Sequence, residues 1–140
     1  MNDNFLESAI KQLEYYKQLG EKAIAHVPDD KLAWQPNEES NSIVTMVKHM
    51  SGNMLSRWTA FLTTDGEKAW RNRDTEFENN VTSREDLLNL WNNGWDVCST
   101  TPRSLKSSDV DKIIYIRNQG HTVMEAINRQ LRIIPTTSGK

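Results

Sequence analysis

A single cysteine, Cys98, leaves the chain no internal disulfide and fits a reducing compartment. Apolar runs never exceed a few residues, so no segment reads as a membrane span. Positive charge is not in excess: 17 Lys and Arg stand against 19 Asp and Glu, for a net charge of -2. With no basic stripe or polybasic tail, an electrostatic footprint for nucleic acid is excluded. The first residues include Asn2, Asp3 and Glu7 and show no charged-then-apolar leader pattern, so a cytoplasmic location is expected. Hydrophobic residues are sparse, at 36%. Five Trp partly compensate, because each aromatic side chain buries a large area. The 140 residues suffice for one domain with one core.

What the chain does have is helical periodicity in four segments. The first runs from about Asn4 to Val27, with Leu6, Ile10, Leu13, Tyr16, Gly20, Ala23, Ile24 and Val27 at three- and four-residue steps. Pro28 ends it. A turn-rich stretch follows to Pro36-Asn37, with Leu32 and Trp34 available to plug one end of a core. The second helix starts at Asn41 or Ser42, either a good N-cap, and reaches about Thr64. Its apolar arc is Ile43, Val47, Met50, Met54, Trp58 and Phe61. A third opens at Thr82-Ser83-Arg84-Glu85, which reads as a capping box. It continues through Leu87, Leu88, Trp91, Trp95 and Cys98 to a stop at Thr101-Pro102. Asp111 to Arg117 is the best strand candidate, with a helix lead-in as the alternative. The fourth helix begins between Asn118 and Thr122 and uses Val123, Ile127, Leu131 and Ile134. The expected fold is all-α, an antiparallel four-helix bundle.

The fourth helix is too short for such a bundle. The first two span about 23 residues each, or roughly 35 Å, while the fourth meets Pro135 after about 15, or roughly 23 Å. Pro135-Thr136-Thr137-Ser138-Gly139 then breaks any helix. Codon degeneracy permits an explanation. Arg132 to Lys140 can be encoded so that the same bases, read two positions later, spell His-Tyr-Pro-Tyr-His-Val-Gly-Gln. That string places two His on one helical face, at i and i+4. The expectation is a domain over residues 1–131 followed by an aberrant tail, 132–140, from a frameshifted and truncated reading.

Several stretches together resemble one superfamily: Asn41-Ser42-Ile43 through His49; Gly52-Asn53-Met54-Leu55-Ser56-Arg57-Trp58; Asp65 to Asp74; Gly120-His121-Thr122; and Ala126 to Leu131. They resemble the DinB/YfiT-like superfamily, and within it a group of uncharacterised bacillar proteins, with the likeness ending at Leu131. The resemblance implies a four-helix bundle, often a homodimer, with a divalent metal such as Zn or Ni held by three histidines. His49 matches the ligand on the second helix. The other two ligands come as a His-x-x-x-His pair on the fourth helix, and this chain lacks that pair. Some relatives are S-transferases using a small-molecule thiol of the bacillithiol type and an electrophile. An open metal position would deprotonate such a thiol, and the thiolate is the nucleophile. A single imidazole does not make a metal site, so the implied activity is lost here.

Other residues carry a plain reading beside a functional one. By spacing alone His49 lies on the shoulder of the second helix's apolar arc, a structural or surface position. Asn53, four residues on, could orient the imidazole, bind substrate or be solvated. Arg57 falls in the apolar step pattern and needs a carboxylate or an anionic ligand. His121 could approach the cleft or mark the start of the fourth helix, whereas His26 suits a helix C-terminus. Asp65 to Val81 is a long connection without periodicity. In it Trp70, Arg71 and Arg73 could cover a cleft and hold carboxylates, or the Arg could pair with Asp65, Glu67, Asp74, Glu76 or Glu78. Cys98, beside Trp91 and Trp95, reads as core rather than nucleophile. Two functions follow: a DinB-like metal-dependent thiol S-transferase disabled by loss of two ligands, or a non-catalytic helical dimer.

Overall fold

The computed structural model describes residues 2–35, 42–78, 81 and 83–133. Helix α1 spans Asn2–His26 and buries Leu6, Ala9, Leu13 and Ile24 along one stripe. At its end the His26 ring, through Nδ1, meets the Lys22 carbonyl at 2.7 Å. Pro28 starts the turn that follows, as expected. Leu32 is buried, but Trp34 is exposed and faces the Lys31 ammonium, so only Leu32 plugs the core.

Helix α2, Ile43–Trp58, is capped by the Ser42 hydroxyl, which accepts from the Thr45 amide at 3.1 Å. Asn41 lies outside the described residues. The helix stops at Trp58 rather than near Thr64. Ala60 adopts φ 48°, in the left-handed region, and its carbonyl accepts from the Thr63 and Thr64 amides in a closing turn. Phe61 still reaches the core, edge-on to Trp58, because the turn carries it there. The apolar period therefore outlasts the helix.

Helix α3 covers Arg84–Ser104, with Ser83 as N-cap for the Asp86 amide. Thr82 is outside the described residues. The expected stop at Thr101-Pro102 does not occur, and α3 continues through Pro102. A proline in the last turn forfeits only one helical hydrogen bond, and this ring is buried.

The all-α expectation is corrected by a hairpin. Strands β1, Ile113–Ile116, and β2, Gln119–Thr122, pair antiparallel, with Ile114 opposite His121 and Ile116 opposite Gln119. Ile114 and Ile116 face inward while Ile113 and Tyr115 face out. Arg117 (φ 53°) and Asn118 (φ 65°) form a two-residue turn with both residues in the left-handed region, the geometry a tight hairpin favours. Asp65 stabilises it: its Oδ1 accepts from the Arg117 amide and its Oδ2 from the Asn118 amide, both at 2.8 Å.

The last helix, α4, is Val123–Ile133, so residues 119–122 belong to a strand rather than to its first turn. Its start is a capping box: Thr122 Oγ1 accepts from the Glu125 amide at 3.1 Å, and Glu125 Oε1 from the Thr122 amide at 2.7 Å. Residues 134–140, most of the tail set apart by sequence, lie outside the described residues.

Helix directions do not alternate throughout. Contacts Glu14–Arg103, Glu21–Trp91 and Arg84 to the Ile24 and Val27 carbonyls run α1 against α3. Ser51 packs beside Gly94 and Trp58 beside Val97 and Thr101, so α2 and α3 run parallel. The long connection from Thr59 to Ser83 makes this possible. A Cβ on Gly94 would lie 2.8 Å from Ser51 Cα, so only glycine allows these helices to approach this closely. The hairpin is tied to the loop beyond α2 through Gly66 N to Tyr115 O at 2.7 Å. Helix α4 leaves it and meets the end of α2, where Trp58 Nε1–H donates to Gln130 Oε1 at 3.0 Å. The core combines Leu6, Leu13, Val47, Met54, Trp58, Leu87, Trp91, Trp95, Val123 and Ile127. No helix among the described residues is long and apolar enough to cross a membrane.

Candidate functional site

His49 sits halfway along α2 with its side chain 41% exposed, on the shoulder of the apolar face as its spacing predicts. Its Nδ1 lies 3.0 Å from Glu76 Oε1. Glu76 is delivered by a short 3-10 turn, Asp74–Phe77, within the long connection, and its side chain is 8% exposed. Arg71 holds the carboxylate in a fork: Nε donates to Oε2 at 2.9 Å and Nη2 to Oε1 at 3.0 Å. Phe77 stacks at a tilt on the imidazole, with ring centroids 5.9 Å apart. Lys48 closes the assembly by donating to the Thr75 and Glu78 carbonyls, at 2.6 and 2.9 Å.

Gly52 makes this possible. A Cβ there would stand 2.0 Å from Glu76 Oε2, so a side chain would displace the carboxylate. Glycine inside a helix costs about 1 kcal/mol relative to alanine, and this one admits the loop. The sequence therefore held a signal for the close approach, three residues after His49, and it was the presence of that glycine.

The other candidates divide. Arg71 takes the structural alternative, pairing with Glu76. Trp70 and Arg73 are exposed. Asn53 is buried, but the partner that orients His49 is Glu76; Asn53 Oδ1 has no hydrogen-bond partner among the described residues. Arg57 is buried at the end of α2, 3.9 Å from Glu67 Oε2. Burial, then repulsion from Arg129, pushes its pKa below the usual guanidinium range, with Glu67 opposing. His121 lies on β2, just before Thr122 and the start of α4, and its Nε2 is buried without a partner among the described residues. Cys98 is core: burial pushes its thiol up to about 12.

Among the described residues, no group of three or more His, Cys, Asp or Glu is placed to hold a metal ion. The donors described around His49 do not by themselves make up a metal site. What the arrangement does is fix one imidazole through Nδ1.

A family model described as "Protein of unknown function (DUF1572)" matches residues 1–139. The chain belongs to that family. The matched span of DUF1572 continues past Leu131, where the sequence resemblance ends. No curated protein and no solved structure matches the chain.

Proposed function

We propose that this DUF1572 chain is a DinB-like scaffold whose divalent-metal site, used elsewhere for thiol S-transfer, persists here as a single oriented ligand and is inactive. The Arg71–Glu76–His49 relay carries this reading. A metal-binding histidine characteristically gives its second ring nitrogen to a carboxylate, which selects the tautomer and holds the ring. His49 has that carboxylate, itself clamped by a buried arginine. Helix α4 meets the end of α2 at the Trp58–Gln130 contact. A histidine pair further along that helix would complete a trio, but the sequence has no histidine after His121.

Metal analysis of purified protein tests the proposal. The chain as it stands should hold Zn²⁺ or Ni²⁺ far below one equivalent. A variant ending Leu-Ala-His-Tyr-Pro-Tyr-His-Val-Gly-Gln after Gln130 should approach one equivalent and lose it on His49→Ala. No gain of metal in that variant ends the proposal. Sequencing the gene around Leu131 tests the frameshift separately.

A non-catalytic role as a helical homodimer is the second reading. Trp70, Phe77, Ile113 and Tyr115, each more than half exposed, favour it. A monomer in analytical ultracentrifugation at tens of micromolar would remove it.

A further inference from the structure

Two guanidinium groups converge on one carboxylate oxygen where α2 ends. Arg57 Nη1 lies 3.9 Å from Glu67 Oε2, and Arg117 Nε lies 3.2 Å from the same atom. The Arg57 side chain is 8% exposed, and its other polar contact, the Gly66 carbonyl, is 3.5 Å away, at the limit of a hydrogen bond. A buried guanidinium has five N–H donors and ordinarily satisfies them with close, forked pairs, as Arg71 does with Glu76. Among the described residues Arg57 has no such pair.

A third cation acts on the same place. Arg129, half-buried on α4, has no hydrogen bond or ion pair among the described residues, yet it is close enough to depress the Arg57 pKa. Arg57 and Arg117 thus share the partly exposed Glu67 carboxylate, with Arg129 close to Arg57 where α4 meets the end of α2 at the Trp58–Gln130 contact. Asn53, one helical turn before Arg57 on the same face, keeps a buried Oδ1 without a partner among the described residues.

We propose that Arg57, Arg117 and Arg129 form a binding site for a small molecule bearing an oxyanion, a carboxylate or a phosphate, with Glu67 occupying part of that place in its absence. The oxyanion supplies the charge that the cluster lacks, and Arg guanidinium groups suit the planar, two-point contacts of both anion types. Asn53 Oδ1 offers an acceptor to a hydroxyl or amine of the same ligand. The site requires no metal, so it stands or falls separately from the His49 reading.

The test is titration of the full chain with inorganic phosphate and, separately, succinate, at ionic strength held constant with chloride. Binding is followed by calorimetry and by the thermal midpoint. At least one anion should bind and raise the midpoint beyond the chloride reference. Response to phosphate alone assigns a phosphate ligand, and to succinate alone a carboxylate. Arg129→Gln should weaken binding roughly tenfold, the loss of one charge-assisted contact. Glu67→Gln should tighten it roughly three- to tenfold by removing the competing carboxylate. No response beyond chloride, or equal affinity in Arg129→Gln, overturns the proposal. Should Arg129→Gln fold poorly, Glu67→Gln decides alone: unchanged or weaker binding overturns the site.

Discussion

Glu76 Oε1 lies 3.0 Å from His49 Nδ1, a contact between residues 27 apart in sequence that docks the long connection onto α2. The carboxylate also neutralises Arg71, whose side chain is 4% exposed. Removing it leaves a buried charge alone. Glu76→Ala should therefore destabilise the protein by about 3–5 kcal/mol, far more than an exposed ion pair would. A urea midpoint within error of the parent would show that the pair contributes nothing.

Gly52→Ala should have a related effect through sterics. Alanine favours the helix by about 1 kcal/mol, but its Cβ occupies the place of Glu76 Oε2. The outcome expected is an undocked connection on an intact helix: faster proteolysis within residues 71–78 with unchanged far-ultraviolet circular dichroism. Unchanged proteolysis would mean that the carboxylate relocates without loss of docking.

Asp65 links the loop after α2 to the hairpin turn, and its pKa is depressed, first by the Asn118 amide and then by the Glu67 amide. A carboxylate with a lowered folded-state pKa contributes stability that is present above its unfolded value, about 4, and lost as pH falls through the folded value. Asp65→Asn should cost about 1 kcal/mol near pH 7, the modest value reflecting solvent screening. The gap between the two proteins should close as pH falls below about 4. A gap that persists at low pH would assign the effect to amide geometry instead of charge.

Cys98, its thiol pushed up to about 12 by burial, should resist a thiol-disulfide reagent at pH 8 in the folded protein. It should react fully once guanidinium unfolds the chain. Rapid labelling of the native state would place the thiol outside the core.

Local chemistry made much of this readable from sequence. Ser42 and Ser83 cap their helices, Pro28 marks the first exit, and Trp91, Trp95 and Cys98 lie on one buried stripe. The signals that misled were those with two physical outcomes. Phe61 continues the apolar period of α2 although Ala60 has already turned the chain. Pro102 is tolerated because it falls in a final turn. The hairpin was obscured because Arg117 is an uncommon residue at positive φ, and Asp65, far away in sequence, supplies the hydrogen bonds that hold it.

Helical content, caps and the inward stripe were determined by the sequence itself, because each depends on residues within a few positions of one another. The partners of charge were not. Five acidic residues were equally available to the loop arginines, and only the docking of the 3-10 turn beside Gly52 selected Glu76 for Arg71 and His49. The gathering of Arg57 and Arg117 at Glu67, with Arg129 near Arg57, likewise required α2, the hairpin and α4 to meet. A single chain position carries no record of which distant charge it will face; the packing of helices settles that.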